Sequence, residues 1–329
     1  MSSTNLNNTI SISRPNAKIN TIDMYVSNLN KLQKIFEVDN FNFLKDVDQV
    51  MDVLKNKHYT TIRNYLNAII VYLLAINSDA TQDTLIKQYQ GLRDDKNQEY
   101  ETFNATHQIS TKQAPNFVNL KDVLAMIEQM GDDLKGYKKR DLDKKDMMLL
   151  QVYIIFNIHV RLPLRLDLAD CHSIHKRFYN QLSIEDKKKQ NWLIIEKSHI
   201  WMSVNKFKTS AKFEELKIDI PKDLEKLLRS YIRIRGMGQL ITTSSGKAMT
   251  RNQLTKTLIK YSQRYMNGVS ISSNILRKIV LSDSFCKSNQ QKEAMSKITA
   301  HSVSTMDKIY IKEGQGTVHG NTDGKADKS

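Results

Sequence analysis

Strand-forming sequence is confined to one stretch of this chain, and helix-type periodicity covers most of the remainder. β-Branched and aromatic residues with partial alternation occur in NWLIIEK, HIWMSVNKF and ELKIDIP, which are separated by short polar turns. Only 11 Gly and 4 Pro are available in 329 residues to interrupt helices. We therefore predict a mainly α-helical protein with a small antiparallel β-sheet of about three strands.

Composition shifts divide the chain into two domains. Residues 1–17 are polar and rich in Ser and Asn, so we expect them to be disordered. Four amphipathic segments between 18 and 105 predict a helical domain, with TIRNYLNAIIVYLLAI apolar enough to be its centre. Residues 106–117 lack periodicity and predict a linker. Residues 118–312 combine the strand region with further helices in an α+β domain, and the Gly-rich segment 313–329 predicts a flexible tail.

The positive charge is distributed unevenly along the chain. Residues 1–117 carry 12 Lys and Arg against 12 Asp and Glu, and residues 118–329 carry 38 against 23, so the second part holds the whole excess of +15. A basic domain attracts polyanions, of which nucleic acid is the commonest large one. A solvated Lys-rich surface is the alternative interpretation of the same charge.

Two further features indicate where the protein works. Cys171 and Cys286 form neither a disulfide framework nor a metal-binding spacing, which is typical of a reducing compartment. The start MSSTNLNNTI lacks the basic and apolar regions of a signal peptide, and the most apolar run, AIIVYLLAI, is too short to span a bilayer. We expect an intracellular protein without a membrane partner.

Four motifs in the second domain carry residues that are able to do chemistry. They are LPLRLDL with Arg165, VNKFKTSAKF with Lys208, NILRKIV with Arg277, and AHSVSTMDKIY with His301 and Tyr310. Each also has an ordinary structural interpretation. The first arginine can pair with a nearby aspartate, the lysine can belong to a solvated turn, and the second arginine can lie on the polar face of a helix. The histidine can cap a helix and the tyrosine can pack in the core.

Together these side chains suit phosphoryl transfer from DNA to a protein hydroxyl. Two guanidinium groups hold the oxygens of a phosphodiester and offset the charge of its transition state. A lysine protonates the departing alkoxide, a histidine donates a hydrogen bond to the phosphate, and a tyrosine becomes covalently linked to it. The sequence has no acidic cluster or metal-binding spacing, so we expect neither a metal nor another cofactor.

The order and spacing of the four motifs resemble those of the tyrosine recombinases, or integrases, over essentially the whole folded chain. The nine residues from the histidine to the tyrosine in AHSVSTMDKIY match the family's closing motif. The resemblance implies that Tyr310 is the nucleophile, that Lys208 is the general acid, and that Arg165, Arg277 and His301 bind the scissile phosphate. It also implies a 3′-phosphotyrosine intermediate and a free 5′-hydroxyl.

Two positions depart from the family pattern. Asn274 stands where the family usually has histidine, and asparagine can donate a hydrogen bond to phosphate but cannot take up a proton. Ala300 stands where the family has glycine. The residues of the motifs most resemble those in the recombinases of DNA viruses, virophages and virus-like mobile elements. That similarity implies a location in the host cytoplasm, a viral factory or the nucleus.

The resemblance further implies that a helical core-binding domain, 18–105, and a catalytic domain, 118–312, clamp double-stranded DNA as a homotetramer. The residues that we expect to contact DNA are Lys57, Arg63, Lys206, Thr209, Arg251, Lys256 and Lys260. The alternative interpretation of these residues is a solvated basic surface without a DNA partner.

Three functions remain open from the sequence. The first is a site-specific DNA recombinase or integrase. The second is a type IB topoisomerase, which uses the same covalent chemistry but religates the same strand. The third is a DNA-binding relative that has lost catalysis.

Overall fold

The chain divides into two compact units in the computed structural model, and each unit has its own buried core. The first unit is Met1–Thr106 and the second is His107–Ser329. The structure describes residues 3–77, 80–136, 142–207, 215–283, 295–299 and 301–311. None of the helices in these ranges combines the length and apolar character that crossing a lipid bilayer would need.

The described part of the first unit is all helical, and one helix forms its centre. Its helices are α1 (Ser3–Ser13), α2 (Ile19–Phe36), α3 (Val47–Leu54), α4 (Tyr59–Ile76) and α5 (Ala80–Ala105). Helix α4 has nine buried residues because apolar side chains lie around most of its circumference. The other helices pack around it, and the hydroxyl of Tyr89 on α5 donates to the carbonyl of Leu44 at 2.8 Å.

The N-terminus differs from the predicted disorder of residues 1–17. Ser3–Ser13 form α1, which contacts α2 and α4. Leu6 and Ile10 are four residues apart, so both lie on one face of the helix, and both are fully buried. The prediction of disorder considered the polar composition of the whole segment and overlooked these two aliphatic residues. Burial of both side chains stabilises the short helix against the core.

The second unit surrounds its sheet with helices. They are α6 (Leu120–Asp133), α7 (Lys144–Arg161), α8 (Lys176–Gln181), α9 (Ile184–Lys188), α10 (Lys222–Arg235), α11 (Arg251–Tyr265) and α12 (Ser273–Asp283). Asp143 caps the start of α7, because its carboxylate accepts hydrogen bonds from two backbone amides of the first turn. Ten of its residues are buried, and the helix passes through the middle of this core.

Within the described residues the sheet has five strands, in contrast to the prediction of about three antiparallel strands. They are β1 (Cys171–His175), β2 (Asn191–Ile195), β3 (Ile200–Val204), β4 (Leu216–Asp219) and β5 (Gly238–Gln239), in the order β4-β3-β2-β1-β5. The predicted strands are β2, β3 and β4, and they are antiparallel. The sheet is mixed because β1 pairs with β2 in parallel, which a crossover through α8 and α9 allows. CHSIH is too short and polar to predict a strand by its pattern alone.

The structure describes the predicted linker but not the predicted tail. The first unit ends at Thr106, and residues 107–117, predicted as linker, belong to the second unit and include a 3₁₀ turn at Ala114–Asn116. The predicted tail, 313–329, lies outside the described residues.

Candidate active site

A buried turn after α7 presents Arg165. The helix ends at Arg161 because Pro163 disfavours helical backbone at Leu162, which takes φ −129° and ψ 90°. Leu162 and Leu164 are buried, so the turn is held against the core. Arg165 follows immediately as a half-buried residue at the start of a 3₁₀ helix. The motif LPLRLDL thus fixes where its arginine leaves the core.

Arg277 lies on α12 and is held by the same turn. Its side chain is only 4% exposed, and its Nε donates to the carbonyl oxygen of Pro163 at 2.8 Å. A charged donor on a neutral carbonyl is one of the stronger hydrogen bonds in a protein, and it orients the guanidinium. The first arginine motif therefore positions the second arginine through its backbone.

Tyr310 ends a π-helix, Met306–Tyr310, that follows a helical turn at Val303–Thr305. The side chain of Ser302 caps this turn by accepting from the amide of Thr305 at 3.1 Å. Met306 and Ile311 flank the tyrosine, and both are buried with Leu281 of α12. These two anchors leave Tyr310 half-buried between them. π-Turns of this kind occur often at functional sites.

Four of the predicted side chains lie together. Nη2 of Arg165 is 2.8 Å from Nε2 and 3.2 Å from Nδ1 of His301. The rings of His301 and Tyr310 have centroids 4.8 Å apart at an interplanar angle of 38°. The Cζ of Arg277 is 5.5 Å from the centroid of the Tyr310 ring. Two cations, one imidazole and one phenol from three separate chain segments therefore form a single cluster.

The cluster has the chemistry of an anion-binding site. Nη1 of Arg165 is buried and has no hydrogen-bond partner among the described residues. A buried N–H donor without a partner is uncommon in proteins and often marks the place of a ligand. Two guanidinium groups beside a phenol can bind a phosphodiester and offset the negative charge that a fifth oxygen ligand would add to phosphorus.

His159 lies on α7 and belongs to the surroundings of this cluster, although no sequence motif indicated it. It is completely buried, with Nδ1 2.9 Å from the carbonyl oxygen of Ile155. Burial, together with the positive charge of Arg277, lowers its pKa to about 4 despite that hydrogen bond. His159 is therefore neutral at pH 7 and adds no third positive charge. The only signal in the sequence is a single histidine in the apolar run YIIFNIHV.

Other predicted site residues either lie apart from the cluster or fall outside the residues that the structure describes. Lys208 and Thr209 are not among the described residues. Lys206 follows β3 as an exposed residue, and Asn191 of β2 binds its backbone amide at 2.7 Å. Asn274 is exposed in the first turn of α12, one turn before Arg277. No hydrogen bond within the described ranges joins Asn274 to the cluster.

The predicted DNA-contacting residues of α11 have different environments. The helix starts with a capping box between Thr250 and Gln253. Lys256 and Lys260 are exposed on it. Arg251 is also exposed, but it forms an ion pair with Asp170, with 2.9 Å between Nη2 and Oδ2. The carboxylate of Asp170, a possible partner for Arg165 by sequence, is thus engaged by Arg251.

The two candidates in the first unit lie near the start of α4. Lys57 is half-buried just before the helix. Arg63 is half-buried as well, with Nη1 3.4 Å from Oδ1 of Asn97 and its Cζ 4.8 Å from the ring centroid of Tyr100. Arg63 therefore stacks on an aromatic side chain of its own unit, which holds its guanidinium in place.

Three solved structures to which the chain is similar are recombinases. No protein-family model matches the sequence, and no curated protein matches it either. The chain is similar to XerA recombinase at 10% identity and a TM-score of 0.39, over 95% of this chain and 94% of that chain. It is also similar to XerH site-specific recombinase bound to difH substrate. The pre-cleavage complex matches at 16% identity and a TM-score of 0.53, over 94% of this chain and 82% of that chain.

The post-cleavage complex of XerH with palindromic difH matches at 17% identity and a TM-score of 0.54, over 94% of this chain and 80% of that chain. The two XerH comparisons show that the chain shares the fold of XerH. They confirm the predicted fold class, a helical N-terminal domain followed by an α+β domain, apart from the mixed pairing of the sheet.

Proposed function

We propose that this protein is a site-specific DNA recombinase that cuts and rejoins DNA through a 3′-phosphotyrosine intermediate. The observation that carries the proposal is the cluster of Arg165, Arg277, His301 and Tyr310. Arg165 and Tyr310 are 145 positions apart along the chain, and the fold brings all four residues together. The fold shared with XerH, a recombinase bound to difH substrate in its solved structures, supports the proposal.

In the proposed cleavage step, the phenolic oxygen of Tyr310 gives its proton to a water molecule and attacks the scissile phosphorus. A bond from that oxygen to phosphorus forms as the bond from phosphorus to the 5′-oxygen breaks. Arg165 and Arg277 stabilise the charge on the non-bridging oxygens, and His301 donates a hydrogen bond to one of them. Lys208 supplies the proton to the departing 5′-oxygen. Asn274 is a further candidate donor to the phosphate.

The second step reverses the first with a different strand. A 5′-hydroxyl attacks the phosphotyrosine, which restores a phosphodiester and frees the tyrosine. The energy of the broken bond is retained in the covalent intermediate, so the reaction needs no nucleotide cofactor. Because two guanidinium groups and a lysine provide the charge and the proton, the proposed chemistry needs no metal ion. Exchange between two DNA sites requires several protomers, and we propose a homotetramer on double-stranded DNA.

We propose that DNA binding is shared unequally between the predicted core-binding domain, 18–105, and the catalytic domain, 118–312. The excess charge of the second part supports this division, because phosphate contacts dominate the affinity for duplex DNA. Exposed cations on α11 suit phosphate contacts, and Arg251 would have to exchange its ion pair with Asp170 for a phosphate. The proposed contacts are Lys57, Arg63, Lys206, Thr209, Arg251, Lys256 and Lys260.

A nicked suicide duplex tests the catalytic proposal. The wild type should form a covalent protein–DNA adduct that survives denaturation, and Tyr310→Phe should form none because it lacks the nucleophilic oxygen. Tyr265→Phe is a matched control, since Tyr265 lies in the same unit and its hydroxyl donates to Asp133 at 2.5 Å. A wild type that forms no adduct would leave only the DNA-binding alternative.

Type IB topoisomerase activity is the second candidate, because the same four side chains suit both reactions. Relaxation of a supercoiled plasmid by a monomer, without recombinant products, would favour it over recombination.

The similarity of the motifs to those of DNA viruses and virus-like mobile elements leads us to propose an integration or excision role, which sequencing of element–host junctions would test.

A further inference from the structure

The segment 107–117, which we call the strap, begins the second unit and contacts other parts of that unit beside the proposed catalytic residues. It was predicted as a linker, and the proposed chemistry assigns it no part. Nδ1 of His107 lies 3.2 Å from the carbonyl oxygen of Ile311, the residue that follows Tyr310. These two residues are 204 positions apart in the sequence. The strap thus reaches the carbonyl of the residue that follows the proposed nucleophile.

Side chains from two elements hold the backbone at this point. The hydroxyl of Ser282 on α12 donates to the carbonyl of Tyr310 at 3.4 Å, and His107 reaches the next carbonyl along. The amide of Ile311 donates to Met306 at 3.2 Å, which closes the π-turn. The peptide group after Tyr310 is therefore bound through both its N–H and its C=O. Displacement of this group would change the direction of the phenol.

His107 reaches the carbonyl from an uncommon backbone conformation. Its φ is +54°, in the left-handed region that side chains other than glycine seldom adopt. Asn, Asp and His tolerate this region better than other residues do, and β-branched residues tolerate it poorly. The conformation turns the chain directly after α5, and it places the imidazole at Ile311. Histidine at this position satisfies both the turn and the contact.

The strap is attached at two further points, both near α12. Oε1 of Gln113 accepts a hydrogen bond from Nζ of Lys278 at 2.7 Å, and burial lowers the pKa of that lysine. Oδ1 of Asn116 accepts from the amide of Ser270 at 2.7 Å, just before the helix begins. Lys278 directly follows Arg277. The strap therefore contacts the helix that holds the second arginine and the segment that holds the tyrosine.

We propose that His107 is a positioning residue for Tyr310, acting through the carbonyl of Ile311. An N–H at Nδ1 holds the carbonyl of Ile311, one residue after the nucleophile, and so limits movement of the backbone that carries Tyr310. The phenolic oxygen then spends more time in line with the phosphorus. Geometry of this kind has large effects on rate, because a misplacement of about 1 Å costs on the order of 10²-fold. Loss of one hydrogen bond should slow cleavage by about tenfold. This inference rests on the proposed function.

Asparagine and aspartate at position 107 test the proposal directly. Both tolerate the left-handed backbone, but only asparagine has an N–H near the position of Nδ1. The rate of adduct formation on the suicide duplex should be measured in single turnover at saturating DNA. We expect His107→Asn to keep a rate close to that of the wild type. His107→Asp and His107→Ala should be about tenfold slower, with an unchanged Kd for DNA.

A duplex with sulfur in place of the scissile 5′-oxygen separates positioning of the nucleophile from assistance to the leaving group. A thiolate leaves without protonation, so a defect at the tyrosine persists with this substrate, whereas a defect in acid catalysis disappears. The inference is overturned if His107→Ala is as fast as the wild type, if asparagine is as slow as aspartate, or if sulfur restores the rate. A wild type without any adduct overturns both this inference and the proposed function.

Discussion

Pro163 influences the site through its ring and through its carbonyl. The ring ends α7 and sets the turn from which Arg165 extends, and the carbonyl binds Nε of Arg277. Removing a guanidinium from water is costly unless hydrogen bonds replace its hydration, and Arg277 is almost fully buried. The carbonyl of Pro163 supplies one of these bonds and leaves the charge of the arginine intact. A buried positive charge is therefore available beside Tyr310.

His159 should make the stability of the second unit depend on pH. Its pKa is about 4 in the folded protein and near 6.5 when the chain is unfolded, so the unfolded state binds more protons between these values. Its contribution to stability is complete above pH 6.5 and is lost as the pH falls towards 4. The loss amounts to roughly 3 kcal/mol at most.

Comparison with His159→Leu isolates this contribution, because leucine does not titrate. Urea unfolding should be followed by tryptophan fluorescence, since both tryptophans, Trp192 and Trp201, lie in the sheet of the second unit. Between pH 7 and pH 4.5, the wild type should lose about 2–3 kcal/mol more than the variant. A difference between the two proteins that is constant with pH would contradict the prediction.

At the level of elements, α11 illustrates how local sequence alone sets a boundary. The side chain of Thr250 accepts from the amide of Gln253 at 3.2 Å, and Gln253 binds back to the amide of Thr250 at 2.9 Å. This capping box satisfies two backbone donors that have no partner within the helix. Threonine followed three residues later by glutamine is a local pattern typical of this cap.

Thr250→Ala should lower the free energy of unfolding of the second unit by about 1 kcal/mol, because the amide of Gln253 loses its acceptor. Thr255→Ala on the same helix is the control, since its hydroxyl only bonds to the carbonyl of Arg251 one turn back. We expect the control to change stability by less than about 0.5 kcal/mol. Equal effects of the two substitutions in urea unfolding would argue against the capping role.

The strands show where local pattern stops being sufficient. Every residue of β2 is buried, since Leu193 and Ile195 face the main core while Trp192 and Ile194 pack with Tyr179 on the other face. Its apolar run predicts a strand correctly. β1 carries only Cys171 and Ile174 as apolar residues, so its extended form depends on pairing with β2. Pairing is a long-range property, and no local pattern encodes it.

At the scale of the whole molecule, the placement of charge predicts how DNA affinity responds to salt. The first 117 residues are neutral overall, and the remainder carries the excess of +15. Each phosphate contact releases about one counterion, so it adds about 1 to the slope of log Kd against log salt. Exposed lysines of the second unit are therefore the expected source of most of this slope.

Lys256→Ala and Lys260→Ala should each reduce the salt slope by about 1 and weaken binding to all duplex sequences alike. Lys31→Ala changes an exposed lysine of α2 in the first unit, which has no excess of positive charge, and should leave the slope unchanged. The measurement is Kd by fluorescence anisotropy from low to moderate salt. If all three variants behave like the wild type, α11 does not face the DNA.

The amino-acid sequence by itself determined the longer helices after α1, strands β2 to β4 and the residue types of the candidate site. Helix periodicity, caps such as Thr250 and the apolar run of β2 act between residues close in the chain, so their energies can be inferred locally. The order of the motifs and the nine-residue interval from His301 to Tyr310 also lie in the sequence.

Only the tertiary structure decided which of these side chains meet. Asp170, an aspartate near Arg165 in the sequence, forms an ion pair with Arg251, and Arg165 contacts His301. The contact of Pro163 with Arg277 and that of His107 with Ile311 join residues more than a hundred positions apart. Such contacts form because burial of the core brings distant segments together, and hydrogen bonds then select among the groups that burial has placed side by side.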